Sequence, residues 1–130
     1  MSEIERIIPV LVYEDIAAGH DFLVEALGFT SGGIHRNPEG KPIHAEVRAG
    51  DVVIWLHRVA AELNLVSPRS MSAASSGLAV QVKDVDGHCE RARAHGAHLE
   101  SEPQDMPYDQ REYGVRDLEG HRWWFNAPLR

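Results

Sequence analysis

The apolar positions at the start of the chain predict a strand followed by a helix. Residues 7–13 are apolar and rich in β-branched side chains, which is typical of a buried strand. Asp15 then stands where a helix N-cap is expected, and apolar residues recur after it at near-helical spacing. Gly28 supplies the stop signal. The next residues, 29–35, are predicted to form a second strand.

Two further strands follow in the pattern. Residues 43–48 alternate strictly, with Ile43, Ala45 and Val47 on one side and His44, Glu46 and Arg48 on the other. Such alternation indicates a strand that is buried on one face. A tight turn at Gly50 leads into a fourth strand at residues 52–57. The order is therefore strand, helix, strand, strand, strand.

The second half of the chain repeats this order. Asp84 lies 69 residues after Asp15 and Gly96 lies 68 after Gly28, while Gly50 is matched by a turn glycine 70 residues later. The predicted strands are 78–83, 98–101, 111–116 and 122–125, with a helix after Asp84. We therefore predict one α+β domain, 1–130, made of two βαβββ half-modules, 5–60 and 76–128, joined by the small-residue linker 61–75.

Composition narrows the possible partners. The chain has 130 residues and a formal net charge of −7, which disfavours nucleic acid and an anionic membrane surface as partners and would favour a cationic ligand. The single cysteine, Cys89, excludes an intramolecular disulfide and fits a reducing compartment. No apolar run reaches membrane-helix length, and the first residues do not form a signal peptide pattern. A cytoplasmic protein is expected.

Two motifs carry a resemblance to a known family. Val82-Lys83-Asp84-Val85-Asp86 opens the second helix, and the run from Tyr113 to His121 includes Arg-Asp-Leu-Glu-Gly-His at the last hairpin. With the doubled βαβββ order, these motifs resemble the vicinal oxygen chelate superfamily of glyoxalases, extradiol dioxygenases and bleomycin-resistance proteins. The resemblance implies two sheets that form a cup, and a homodimer that shares cups or halves between chains.

Metal-dependent members of that superfamily place four His or Glu ligands on cup-lining strands. Counting from the helix-capping aspartates and the turn glycines puts the equivalent positions at Ile8, Ile54, Gly77 and Trp124. None of these side chains can bind a divalent cation. The resemblance therefore implies the branch without a metal, and no cofactor is predicted. A displaced site at His44, His57 and His121 with Glu46 stays open as an alternative.

The predicted ligand site combines an aromatic wall with a few polar groups. If Trp124 faces the cup, strand alternation puts Arg122 beside it and turns Trp123 towards the helices. Tyr113 would lie opposite Trp124 if the hairpin turn is the two-residue kind. The full set of predicted ligand-binding residues is Trp124, Arg122, Tyr113, Ile54, Gln81, His44 and Glu46. His20 and His88 occupy matching helix positions and are expected to face solvent or to cap local groups.

These observations favour a binding protein that sequesters a planar or cationic drug or metabolite without a metal. No catalytic residue is assigned. The alternative is an enzyme, either a lyase or dioxygenase with relocated metal ligands or a metal-free isomerase that uses His44 or Glu46 as a base.

Overall fold

The computed structural model describes residues 3–129 and contains two βαβββ units. Its elements are β1 (Val10–Tyr13), α1 (Ile16–Glu25), β2 (Thr30–Arg36), β3 (Pro42–Ala49), β4 (Val52–Arg58), α2 (Pro68–Met71), β5 (Gly77–Gln81), α3 (Val85–Ala94), β6 (His98–Met106), β7 (Gln110–Arg116) and β8 (Arg122–Pro128). The α+β prediction and the doubled strand order are confirmed.

Each unit builds its own four-stranded sheet. The strand orders are β1-β4-β3-β2 and β5-β8-β7-β6, so the two sheets have the same topology. In each, the first strand pairs in parallel with the last, and the remaining pairs are antiparallel. The first strand is shorter than predicted: Pro9 lies outside it, and Ile7 is 81% exposed. Proline has no N–H to offer the ladder, which explains a start at Val10.

Matching caps start the two long helices. A carboxylate oxygen of Asp15 accepts a hydrogen bond from the Ala18 N–H at 3.0 Å, and Asp84 does the same for Gly87 at 3.0 Å. Each cap satisfies a backbone donor that has no partner inside its helix. The predicted N-caps are therefore confirmed in both units.

One hydrophobic core joins the two units. Trp123 and Phe125 of β8 are almost fully buried, and the ring of Phe29 from the first unit lies 5.3 Å from Trp123. Both helices and one face of each sheet contribute to this core. The opposite face of each sheet is not covered by its helix, and we call these two surfaces the open faces.

Two buried carboxylates at the β7–β8 turn fasten the units together. Glu119 is 2% exposed and accepts hydrogen bonds from the backbone N–H groups of Glu14 and Asp15, at 2.7 and 2.8 Å. Asp117 accepts one from the Tyr13 hydroxyl at 2.5 Å. Burial, together with the nearby Asp117 charge, raises the pKa of Tyr13 well above its usual value. The turn therefore holds the β1–α1 junction of the other unit.

The segment between β4 and β5 is more ordered than its composition predicts. It contains a 3₁₀ turn at Ala61–Leu63 and the short helix α2. Ser67, which caps α2, is fully buried and donates a 2.6 Å hydrogen bond to Glu119. We keep 5–60 and 76–128 as the proposed half-modules. Residues 61–75 form the connecting segment, which packs against the second half-module through Ser67. Among residues 3–129, no helix is long and apolar enough to cross a bilayer.

Candidate ligand-binding site

The open face of the second sheet carries a flat tryptophan. Trp124 pairs with Gly114 of β7 on one side and with Ala79 of β5 on the other. A Cβ atom added to Gly77 would overlap the Trp124 ring, approaching Cη2 to 2.9 Å, and one added to Gly114 would reach Cδ1 at 3.5 Å. The indole thus lies across positions that have no side chain. Its outer face can stack against a flat molecule.

Polar groups lie beside this indole. The Arg122 guanidinium carbon lies 5.4 Å from the centroid of the Trp124 ring, a cation–π distance. Gln81 pairs in register with Asn126, two positions after Trp124, so both side chains belong to the same face. The structure therefore places three predicted site residues, Trp124, Arg122 and Gln81, on one surface.

The open face of the first sheet holds the other polar predictions. Glu46 accepts hydrogen bonds from Trp55 Nε1 at 3.2 Å and from Arg48 Nε at 2.7 Å. The bond from Arg48 is the main cause that lowers the pKa of Glu46. Burial, with the neighbouring His35 and His57, lowers the pKa of His44, whose ring meets Trp55 edge-on at 5.6 Å. His44 and Glu46 share a face, but on a different sheet from Trp124.

Ile54 does not line this face, so that prediction is wrong. It is 4% exposed and belongs to the shared core, while its neighbour Trp55 lies on the open face and is 37% exposed. The first hairpin has a two-residue turn that begins with Gly50, whereas Gly120 ends a three-residue turn. Counting four residues from each glycine therefore stops one residue too early in the first unit. A shift of one residue along a strand moves the side chain to the opposite face of the sheet.

Trp55 is the counterpart of Trp124 that the count from glycine misses. Each is the fourth residue after its turn, and they lie 69 positions apart, the same offset as Asp15 and Asp84. Counting from the end of each turn would have found it. Each sheet thus presents one tryptophan on its open face.

Tyr113 is also misplaced by the sequence prediction. It lies opposite Phe125 instead of Trp124, and it is fully buried. The reason is the same turn: three residues, 118–120, lie between Asp117 and His121, whose backbone groups are hydrogen-bonded, where a two-residue turn was assumed. The Tyr113 hydroxyl donates to His88 Nδ1 at 2.7 Å, while His88 Nε2 donates to the Leu27 carbonyl of the first unit at 2.7 Å. Burial raises the pKa of Tyr113 and lowers that of His88.

His20 and His88 are thus not solvent-facing. His20 is 7% exposed and bonds Asp21 and Ser31 within its own unit, at 2.9 and 2.7 Å. His88 is half-buried and connects α3 to the end of the helix in the other unit. Both are structural.

Comparison with known proteins gives the family. The model of the Glyoxalase/Bleomycin resistance protein/Dioxygenase superfamily matches residues 4–125. The chain belongs to this superfamily. A curated relative, the uncharacterized protein Mb0911c of Mycobacterium bovis, is 30% identical over 94% of this chain and 82% of its own.

Solved structures agree with this membership. TioX from Micromonospora sp. ML1 is 32% identical with a TM-score of 0.76, covering 96% of this chain and 99% of TioX. TnmS3 from Streptomyces sp. CB03234, described as an antibiotic binding protein, has a TM-score of 0.73 at 21% identity, covering 98% and 99% of the two chains. At that identity TnmS3 supports the fold alone.

In this chain, the positions that hold the metal ligands in metal-dependent members carry side chains that cannot bind a metal ion. With the turn correction they fall on Ile8, Trp55, Gly77 and Trp124, which offer no carboxylate, imidazole or thiolate. The alternative site is not assembled either, since His121 Nε2 instead donates to the Val12 carbonyl at 2.8 Å. Among residues 3–129, no group of three His, Cys, Asp or Glu side chains is arranged to hold an ion.

Proposed function

We propose that this superfamily member binds a planar aromatic small molecule reversibly, on its open faces and without a metal. The observation that carries the proposal is Trp124, whose indole lies flat over Gly77 and Gly114. In an ordinary core, positions under a tryptophan carry side chains that pack against it. Here glycine lets one indole face rest on the sheet, and a ligand would share the other face with the Arg122 guanidinium, which lies 5.4 Å from the ring centroid. A large aromatic surface with a few oriented polar groups beside it can hold and orient a flat small molecule.

The family comparison supports binding at a coarser level. The superfamily description includes bleomycin-resistance proteins, and TnmS3 is described as antibiotic-binding. We infer that the guest is a drug or metabolite of this flat, aromatic kind, held by stacking and released unchanged. The absence of donors at the superfamily's metal positions supports a role that needs no ion.

We further propose a homodimer in which each site uses two protomers. Trp55 and Trp124 are equivalent residues on two separate sheets that share a core through their other faces. A single chain therefore presents two half-sites. A second copy can bring the Trp55 face of one protomer over the Trp124 face of the other, which would enclose a flat ligand between two indoles.

The hydrogen bonds and the lowered pKa of Glu46 favour ligand binding over proton abstraction as the function of this protein. Both of its oxygens accept hydrogen bonds, and the bond from Arg48 lowers its pKa, so it is a weak base. A cytoplasmic location also belongs to the proposal, and it rests on Cys89, which is buried as a free thiol.

Tryptophan fluorescence tests the proposal, with bleomycin and proflavine as probes. We expect saturable quenching that a Trp124→Leu variant loses. Trp123 is fully buried and serves as the internal reference, so a Trp55→Phe/Trp124→Phe variant should fluoresce without responding. Leu63→Ala, on the exposed 3₁₀ turn, is the matched control and should bind as wild type.

Chelation and sedimentation complete the test. Prolonged dialysis against EDTA should leave the quenching unchanged, and analytical ultracentrifugation should show a dimer. Quenching that survives Trp124→Leu would exclude the site, and quenching lost with EDTA and restored by a divalent ion would exclude metal-independent binding.

A further inference from the structure

We infer that the second sheet carries a binding site for an anionic group, a carboxylate or a phosphate, of a small-molecule ligand. The site is a cleft of about 680 Å³ between the connecting segment and one end of the open face. Three arginines, Arg69, Arg116 and Arg122, line it. The inference rests on the proposed function in one respect: Arg122 belongs to both surfaces, so the anionic group would be part of the same ligand.

The walls of the cleft come from separate parts of the chain. One wall is the connecting segment, where Pro68 and Arg69 are followed by the small residues Ser72, Ala73 and Ala74. The opposite wall is the end of the second sheet, with His98, Glu100, Arg116 and Arg122, and the β7–β8 turn lies between them. Small residues on one side leave space that faces the guanidinium groups of Arg116 and Arg122 and the Glu100 carboxylate between them.

The carboxylates of the cleft form ion pairs or buried hydrogen bonds, but none of them satisfies Arg122 Nε. Asp117 and Glu119 are committed to the buried hydrogen bonds that join the units. Glu100 is shared: its Oε1 lies 3.5 Å from Arg116 Nε and 3.4 Å from Arg122 Nε. Neither contact is a hydrogen bond, and Arg122 Nε is buried without a hydrogen-bond acceptor. A buried donor without an acceptor is unfavourable, and a ligand oxygen that replaced the Glu100 carboxylate beside it would satisfy it.

The other contacts of the arginines orient their side chains but do not use all of their N–H donors. Arg116 donates to His98 Nε2 at 2.8 Å. Arg69 donates to the Leu118 carbonyl at 3.2 Å and lies 3.6 Å from the Glu14 carboxylate. Guanidinium groups suit carboxylate and phosphate because their N–H donors match two oxygens at once.

The cleft does not share the negative charge of the whole chain, because its three arginines balance Glu100, Asp117 and Glu119. The net charge of −7 predicts attraction of cations, but the residues beside Trp124 are Arg122 and, further along the face, Arg116. A flat ring stacked on Trp124 would therefore direct a substituent of the ligand towards guanidinium groups. The ligand class that this geometry selects is a planar aromatic acid or phosphate ester.

The first experiment uses inorganic phosphate alone. Titration followed by NMR of the arginine Nε–H signals, against sodium chloride at equal ionic strength, should give saturable shifts for Arg116 and Arg122. Arg116→Gln should weaken phosphate binding about tenfold, and Glu100→Gln should tighten it severalfold by removing the competing carboxylate. Arg93→Gln is the matched control, because Arg93 pairs with Glu102 outside the cleft and should change nothing.

Arg116→Gln is expected to weaken phosphate binding and Glu100→Gln to tighten it. A folding defect would weaken binding in both variants, so it cannot produce this pair of results. Shifts that sodium chloride reproduces, or equal effects of Arg116→Gln and Arg93→Gln, would overturn the inference. Backbone spectra of each variant verify that it is folded.

The second experiment separates the charge of the ligand from its stacking. The probes are 2-naphthoate, 2-naphthamide and 2-naphthylmethylammonium, which share one ring system and differ in charge. We expect 2-naphthoate to bind about tenfold more tightly than the amide, with the cation weakest. Equal binding of all three, without phosphate saturation, would leave the proposed function standing and overturn the anion site. Phosphate saturation without binding of any naphthyl probe would support the anion site and count against the stacking surface.

Discussion

Replacing Glu119 by glutamine tests how the two units are held together. Glu119 is almost fully buried at the β7–β8 turn and accepts three hydrogen bonds: from the backbone of Glu14 and Asp15, and from the Ser67 hydroxyl. Glutamine keeps the size of the side chain and one carbonyl oxygen. Its NH₂ group, however, must face either the Asp15 N–H or the pair formed by Glu14 and Ser67.

The magnitude follows from these contacts. The better orientation keeps the oxygen on Glu14 and Ser67 and places the amide against the Asp15 N–H, so one hydrogen bond to a charged group is lost, at about 1.5–3 kcal/mol. The two remaining bonds become neutral ones, which are weaker by about 1 kcal/mol each. After partial relaxation we expect Glu119→Gln to lower the free energy of unfolding by about 2–4 kcal/mol.

Urea unfolding followed by circular dichroism measures this loss. With a slope of about 1–3 kcal/mol per molar urea for a small protein, the midpoint should fall by about 1–3 M. Ser67→Ala removes one of the three donors and should cost about half as much. Glu102→Gln, at the exposed pair with Arg93, is the control and should change little. A loss below about 0.5 kcal/mol for Glu119→Gln would refute the view that this turn joins the units.

Three further predictions concern the site and the fold. Gly77→Ala should cost about 1–3 kcal/mol in thermal unfolding, through overlap with the Trp124 ring and an approach of 3.0 Å to the Arg122 carbonyl oxygen. A Trp124→Leu background should remove the part that is due to the ring, and equal costs in the two backgrounds would show that the indole does not lie there. The pKa of His88 is lowered from 6.5, so the unfolded chain binds more protons than the folded one, and stability should fall as the pH drops below about 6.5. His88→Gln should make the urea midpoint depend less on pH between about pH 5.5 and 7.5. An unchanged dependence would contradict this. Asp84→Ala should cost about 1 kcal/mol of unfolding free energy through loss of the cap, with Asp84→Ser recovering most of it, and equal stability of the two variants would argue against the cap.

The elements that depend on local sequence were predictable. Asp15 and Asp84 cap their helices because a short acidic side chain reaches a backbone donor within one turn, whatever the rest of the fold does. Alternation placed His44 and Glu46 on one face, and put Arg122 beside Trp124, because side chains on a strand alternate between faces. The doubled pattern was enough for the fold class, and the motifs at residues 82–86 and 113–121 carried the resemblance to the superfamily.

The positions of Ile54 and Tyr113 depended on the tertiary structure, because one turn residue reverses every side chain of the paired strand. The lengths of the two hairpin turns are decided by backbone hydrogen bonds that residue types alone do not specify. The cleft beside Arg122 required folding to bring Arg69 and Arg116 together from segments 47 residues apart. Local chemistry therefore determined what each segment becomes, and the long-range contacts of a shared core determined which side chains meet.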